Sequence, residues 1–352
     1  MSRRKEWESP LAESAVASAR AGYGIVTLSV AFCLSAVTTI CFLHDSARAG
    51  TQPSATAQKA IASPAQAVPV RADFKQPTTL AELLAIPTAD LGKVDLVTMN
   101  LLCAEGLPGS EKINIPECLV TLDQWAAKIK LYTERHHDEF IHDATETHSW
   151  AEYEMMVIMS ALKISYGVHY DVAGAVAEYG FDPATTKVPK GDYYPTDKLA
   201  PTFFAGSDLF FVNGLLGSKR VGTCSSLPVL VAAIGQRLGY PVALDTCFRH
   251  MFVRWDDGKE RFNIETTVIG GLQEVSDEEY HHWPQPLADQ AIAAEGYLQI
   301  QTPAQNLANF LYSRIACLMA CGRMDEASRL RQKCLELVPT SIRYKSLPSL
   351  TS

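Results

Sequence analysis

The stretch Gly222-Thr223-Cys224-Ser225-Ser226-Leu227-Pro228, running on through Val229 and Ile234 to Gly239, decides how the chain is read. From Leu227 onward it is apolar nearly all round, which marks a buried central helix rather than a surface one. Pro228 is tolerated in a first turn, where backbone donors are unpaired anyway, and either Thr223 or Ser225 can supply the cap. Gly239 suits the left-handed residue that ends a helix. Cys224 is therefore expected at the N-terminus of a buried helix. There the macrodipole and unpaired N–H groups favour a thiolate and can hold an oxyanion.

Beyond the helix come Pro241–Cys247, His250–Trp255 and Arg261–Thr267, with Asp256-Asp257-Gly258 between the last two. Alternating apolar positions around an Asp-Gly turn predict a β-hairpin. A two-residue Asp257-Gly258 turn pairs Trp255 with Glu260, Val253 with Phe262, and His250 with Glu265. Opposed residues have Cβ atoms about 5 Å apart, so a carboxylate there can orient an imidazole. A slip of two residues keeps the face and puts Asn263 opposite the ring instead.

A Cys at a helix start, a His opening a strand, and an acid or amide on the next strand come here in that order. On this pattern, residues 219–267 resemble the core of the transglutaminase-like superfamily of papain-type thiol enzymes. The short Cys-to-His spacing and a trailing helix pair are similar to bacterial members associated with tetratricopeptide helices. Met99–Gly106 and Phe262–Glu265 are phrases some members share. The resemblance implies an α+β, papain-like fold: a helical N-terminal half, the Cys helix on a small antiparallel sheet, and a C-terminal helix pair. It implies cysteine-dependent acyl transfer on an amide or peptide, by hydrolysis or transamidation, through a thioester on Cys224. His250 matches the general base, and Glu265 or Asn263 the orienting group. Glu265 departs from the family pattern, which usually has an Asp followed by Pro. No metal or organic cofactor is implied, and the expected partner is a peptide or protein substrate. The rival expectation is a non-catalytic binding or scaffold module of the cell envelope on the same fold, with the C-terminal helix pair (residues 301–340) recruiting a partner, since folds host unrelated functions. Asp208 and Arg249 have two roles open to them, a contact with substrate or, the favoured one, a salt bridge or cap.

Residues 78–200 read as a helical region with a long connection, residues 201–300 as the catalytic core, and residues 301–340 as a tetratricopeptide-like helix pair. Thr121–Gln124 has the form of a capping box opening a helix towards Asp143, and Ser149–Glu152 opens another. In the latter, Met155, Met156, Met159 and Leu162 fall at helical spacing and predict packing. His136, His137, His142 and His148 lack the spacing of a zinc helix and predict a solvated face. Leu311–Gly322 and Glu326–Pro339 form the helix pair, which one repeat alone cannot extend into a solenoid. Cys103, Cys317, Cys321 and Cys334 are expected as packing thiols, and no C-x-x-C pair supports a metal or redox dithiol.

A net charge of -8 advertises no basic surface for nucleic acid. At the start of the chain, Arg3, Arg4 and Lys5 precede the 19 uncharged residues Ile25–Leu43 and then Ala47-Arg48-Ala49. A basic start, an apolar core and an A-x-A site describe an export signal. The run is also just long enough to anchor the chain in a bilayer. Residues 1–49 are thus an export signal or membrane anchor, 50–77 a flexible Ala/Pro-rich linker, and the remainder periplasmic or in the cell envelope. A reporter fused near residue 80 that works only outside the cytoplasm should be active. Mass spectrometry of the mature N-terminus separates the alternatives, because a cleaved signal leaves Gly50 first.

Overall fold

A computed structural model describes residues 74–137, 149–171, 203–268, 271–283 and 286–347, all within the unit Pro64–Ser352. The export segment, residues 50–73 of the linker, most of the long connection, His142 and His148 lie outside the described residues. The architecture is mixed α+β.

Four helices come first: α1 (Leu80–Ala85), α2 (Leu96–Ala104), α3 (Ile115–Arg135) and α4 (Trp150–Ile164). The Ser149–Glu152 capping box opens α4 as its spacing predicts, and Met155, Met159 and Leu162 are fully buried. The start of α3 differs from expectation. Asn114 caps it by accepting from the Glu117 N–H, Pro116 stands in the first turn, and Thr121–Gln124 lies inside the helix. An Asn cap followed by Pro is the stronger start signal, and it precedes the box that the pattern search favoured.

A short parallel pair, β1 (His169–Tyr170) and β2 (Val221–Gly222), flanks helix α5 (Val212–Leu216) in the chain. Then comes α6 (Leu227–Leu238), buried from Leu227 through Gly235 and closed by Gly239 at φ +83°. Its neighbours are α2, α3, α4 and α5 and the strands β3 (Val242–Cys247) and β4 (His250–Asp256). With β5 (Arg261–Ile264) these strands form an antiparallel meander in the order β3-β4-β5. A helix with protein on all sides needs no polar face, which is why the sequence of α6 has almost none.

Two small helices follow, α7 (Asp277–His282) and α8 (Asp289–Glu295). The C-terminal pair is α9 (Pro303–Ala320) and α10 (Met324–Leu337), with α11 (Ile342–Ser346) beyond. The pair docks on the N-terminal helices through polar anchors, the buried Arg314 and the half-buried Arg323. Arg314 of α9 donates to the Cys103 and Glu105 carbonyls at the end of α2 (2.9 and 2.7 Å), and Arg323 donates to the Gly106 carbonyl (2.9 Å). A cation on the last carbonyls of a helix both satisfies them and complements its dipole. Among the described residues no helix is long and apolar enough to cross a membrane, and no cluster of His, Cys, Asp and Glu could hold a metal.

Gly222 sits where the chain turns towards Cys224. A Cβ there would lie 2.5 Å from Ser226 Oγ and 2.7 Å from Leu215 Cδ2. Ser226 Oγ accepts from the Thr223 N–H (3.1 Å) and donates to the Leu209 carbonyl (2.7 Å), so it cannot retreat cheaply. Gly222→Ala should destabilise the fold by about 1–3 kcal/mol. Chemical denaturation measures the loss, and alkylation of Cys224 should slow in the same variant because the turn carrying it is displaced.

Candidate active site

Cys224 lies in the turn Thr223–Ser226, one step ahead of α6 rather than in its first turn. The Thr223 carbonyl accepts from the Ser226 and Leu227 N–H groups (3.1 and 3.0 Å). The helix cap differs from expectation: Ser226 is the N-cap residue, and neither Thr223 nor Ser225 makes the side-chain cap. Instead Thr223 Oγ1 donates to the Leu209 carbonyl (3.2 Å) and accepts from the Ser225 N–H (3.2 Å), which ties the turn to the preceding loop. The Cys224 N–H makes no hydrogen bond among the described residues. It is a free donor beside the thiol.

The hairpin register is shifted by two from the predicted one. Val253 faces Ile264, Arg254 faces Asn263, Trp255 faces Phe262, and Asp256 faces Arg261. Asp257 uses its carboxylate to accept from the Lys259 and Glu260 N–H groups (2.8 and 2.7 Å), which lengthens the loop beyond the two-residue Asp-Gly turn. The slip runs opposite to the one that would bring Asn263 under the ring. Asn263 binds Arg254 Nε through Oδ1 (2.8 Å), and its Nδ2 donates to the Val275 carbonyl (2.9 Å) and Asp277 Oδ1 (2.8 Å). It takes no part with His250.

Glu265 meets His250 by another route. At Ile264 the chain leaves β4, bridges to Glu274, and the Glu265 N–H donates to the Gln273 carbonyl (2.9 Å). Continuing the register puts Glu265 beside Phe252, diagonal to His250 on one face, within reach of long side chains. Glu265 Oε2 accepts from His250 Nε2 (2.7 Å) and from the Tyr280 hydroxyl (2.8 Å). Oε1 accepts from the Thr267 N–H (2.8 Å) and Oγ1 (2.7 Å). Nε2 is engaged by Glu265, which leaves Nδ1 free, and the Cys224 thiol lies close enough to act on the titration of the ring. The Cys224 thiol also contacts the Arg249 carbonyl, 4.0 Å from Sγ.

Residues 271–283, which sequence reasoning passed over, close the site. Tyr280 completes the Glu265 shell and stacks on Phe252 (4.1 Å between centroids), while Trp283 packs edge-on against the His250 ring (4.8 Å, 85°). Their signal was the Ser276–Glu279 capping box, which places Tyr280 on the first turn of α7. Arg254, 1% exposed, binds Asp277, Asn263 Oδ1 and the Leu298 carbonyl (3.0 Å) and so pins α7 to the sheet. It also lies 3.0 Å from Asp245 Oδ2, an ion contact out of hydrogen-bond alignment.

His250 is 7% exposed and Glu265 5%. Burial alone would push the imidazole down, but the Glu265 charge and hydrogen bond, with the neighbouring Cys224 thiol, lift it to about 10. Burial would likewise raise Glu265, yet the His250 charge and the Thr267 donors hold it at about 2. Asp208 is buried and ion-paired to Lys219, as expected, whereas Arg249 has no ion pair among the described residues. Cys103, Cys317 and Cys334 are buried, with the latter two thiols raised to about 12 by desolvation. Cys321 differs from expectation, being exposed where α9 ends. Comparison with protein-family models, with characterised proteins and with solved structures found no match for this chain.

The paired shifts fix a stability window. The His250 contribution is complete below its unfolded value of about 6.5 and is lost as pH rises through about 10. The Glu265 contribution is complete above its unfolded value of about 4.3 and is lost as pH falls towards about 2. Glu265→Gln should therefore lower stability by about 1.5–3 kcal/mol between roughly pH 4.5 and 6.5. The gap from wild type should shrink on either side, as thermal melts across the range will measure.

Proposed function

We propose that the chain is a transglutaminase-like, papain-type thiol enzyme that transfers the acyl group of an amide or peptide through a thioester on Cys224. The observation that carries this is the neighbourhood of Cys224, His250 and Glu265: the thiol lies against the Arg249 carbonyl, one residue before His250, and the imidazole is held through Nε2 by a buried carboxylate. The order in the chain fits as well: a turn and buried helix, an antiparallel meander, the His at the start of its middle strand, and the acid beyond the third. A nucleophile, a base and an orienting group within hydrogen-bond reach are what covalent acyl transfer requires.

In this reading Cys224 attacks as a thiolate beside a protonated His250. The Sγ–carbon bond forms, the free Cys224 N–H donates to the oxyanion, and the carbon–nitrogen bond breaks as His250 gives its proton to the leaving amine. Neutral His250 then takes a proton from water or an acceptor amine as that group attacks the thioester, which restores the thiolate and imidazolium. Glu265 fixes the ring and stabilises its charge throughout. Tyr280 and Thr267 hold Glu265 in place, and Trp283 covers the ring edge. Export to the periplasm or cell envelope, as a soluble or anchored protein, belongs to the same proposal and rests on the basic and apolar N-terminal sequence.

Iodoacetamide at about pH 6 should label Cys224 ahead of the buried thiols, since a thiolate is the reactive form. Exposed Cys321 serves as an internal reference, because its labelling has no reason to depend on His250. Replacing His250 by Ala should slow Cys224 by about a hundredfold, the lower end of what a general base contributes, while leaving Cys321 unchanged. Equal labelling of both sites, indifferent to His250, would move the assignment to a non-catalytic binding module.

A further inference from the structure

We infer that Arg249 recognises a carboxylate on the substrate, so that the acyl compounds presented to Cys224 are acidic peptides. The inference rests on Cys224 being the nucleophile, and three observations carry it.

The first is backbone strain. Cys247 pairs with His250, so Phe248 and Arg249 alone turn β3 into β4. Arg249 has φ +55°, in the left-handed region that glycine enters freely and a side chain enters at a cost of about 1–2 kcal/mol. A turn of this kind ordinarily selects Gly or Asn. A long cationic side chain kept at such a position is the type of strain that gathers at functional sites.

The second is place. The Arg249 carbonyl is 4.0 Å from Cys224 Sγ, and the next residue is His250. The Arg249 backbone thus stands at the rim of the reacting centre, and its guanidinium lies within one side chain's length of it. A carboxylate bound to it belongs to a residue within that reach of the bond under attack.

The third is an unmet charge. The other arginines of this region have partners: Arg254 has Asp245 and Asp277, Arg261 has Asp256 and Asp277, and Arg237 has Asp95 and Asp123. Arg220, which has no carboxylate among the described residues either, gives its Nη1 to the Leu215 and Leu216 carbonyls. Arg249 has no carboxylate among the described residues, and its recorded contact is the Phe248 ring, 5.5 Å from Cζ to centroid. The acid of the site, Glu265, has both oxygens occupied by His250, Tyr280 and Thr267. Stacking on Phe248 orients the planar fork and leaves its donors for a ligand. Bidentate pairing with a carboxylate is the recognition such a fork performs best. The carboxylate is either an acidic side chain or a free peptide C-terminus.

Iodoacetate and iodoacetamide attack the same sulfur and differ in charge, so the ratio of their rates with Cys224 cancels changes in the thiol itself. In the full chain at neutral pH, Arg249→Gln should lower the iodoacetate-to-iodoacetamide ratio by about five- to tenfold, the worth of one charge-assisted contact. Arg249→Gly, which accepts the turn without strain, should lower it equally, and Arg249→Lys should keep part of it. A ratio unmoved in either neutral variant, or a fall in Gln that Gly restores, would overturn the inference. Should Cys224 labelling itself prove independent of His250, the nucleophile reading fails instead. Protection of Cys224 from iodoacetamide separates the two sources. N-acetyl-Ala-Asp amide protecting best assigns a side-chain acid, and N-acetyl-Ala-Ala with a free carboxylate protecting best assigns a C-terminus. A neutral N-acetyl-Ala-Ala amide protecting as well as both would again overturn the inference.

Discussion

A carboxylate that stays ionised inside a protein has to be surrounded by donors, because stripping its water costs several kcal/mol. Glu265 meets that demand with four hydrogen bonds at 2.7–2.8 Å, donated by three residues from different parts of the chain's layout. His250 supplies one from the start of β4. Thr267 supplies two by folding back just after Glu265, which ends β5 early. Tyr280 supplies the fourth from α7. The strand lengths, the departure of the chain from β4 at Ile264 and the docking of α7 all answer to that anion.

Below it on the same face of β4 lies a second ionic site of opposite design. Arg254 is a buried cation ringed by Asp245, Asp277 and the Asn263 side-chain oxygen. Phe252 stands between His250 and Arg254 in the alternation of the strand, and Tyr280 stacks on it. Aromatic faces thereby insulate the two sites while α7 bridges both, Asp277 reaching Arg254 and Tyr280 reaching Glu265. The arrangement converts a structural clamp into a positioning device: the salt bridge that seats α7 is what delivers the Tyr280 hydroxyl to Glu265 and Trp283 to the imidazole.

The central helix was legible because burial on every side leaves an unmistakable apolar run, and its Gly239 stop because few residues take a positive φ. The His250–Glu265 meeting was legible as a shared face, since alternation along a strand survives a slip of two residues. Its register was not. Asp257 carries a side chain that caps its own turn, and loop length follows from that local bond rather than from the Asp-Gly pair. Asn263 looked equivalent to Glu265 because both lie on the same face, and what divides them is Arg254, whose burial no periodicity announces. Tyr280 and Trp283 were out of reach for the same reason: they join the site through tertiary packing of a six-residue helix.

Chain length explains why Cys224 and His250, 26 residues apart, come together. The 12 residues of α6 carry the chain about 18 Å away from the cysteine at the rise of a helix. The six residues of β3 bring it back about 20 Å at the rise of a strand. The strand lies tight against the helix, so tight that a Cβ on Gly235 would fall 2.5 Å from Val242 Cγ2. Out-and-back lengths that nearly match return the chain level with the turn it left, and the reversal into β4 must then happen within two residues. The left-handed φ of Arg249 follows from that lack of room. The strain beside the thiol is thus set by the same geometry that brings base and nucleophile into contact.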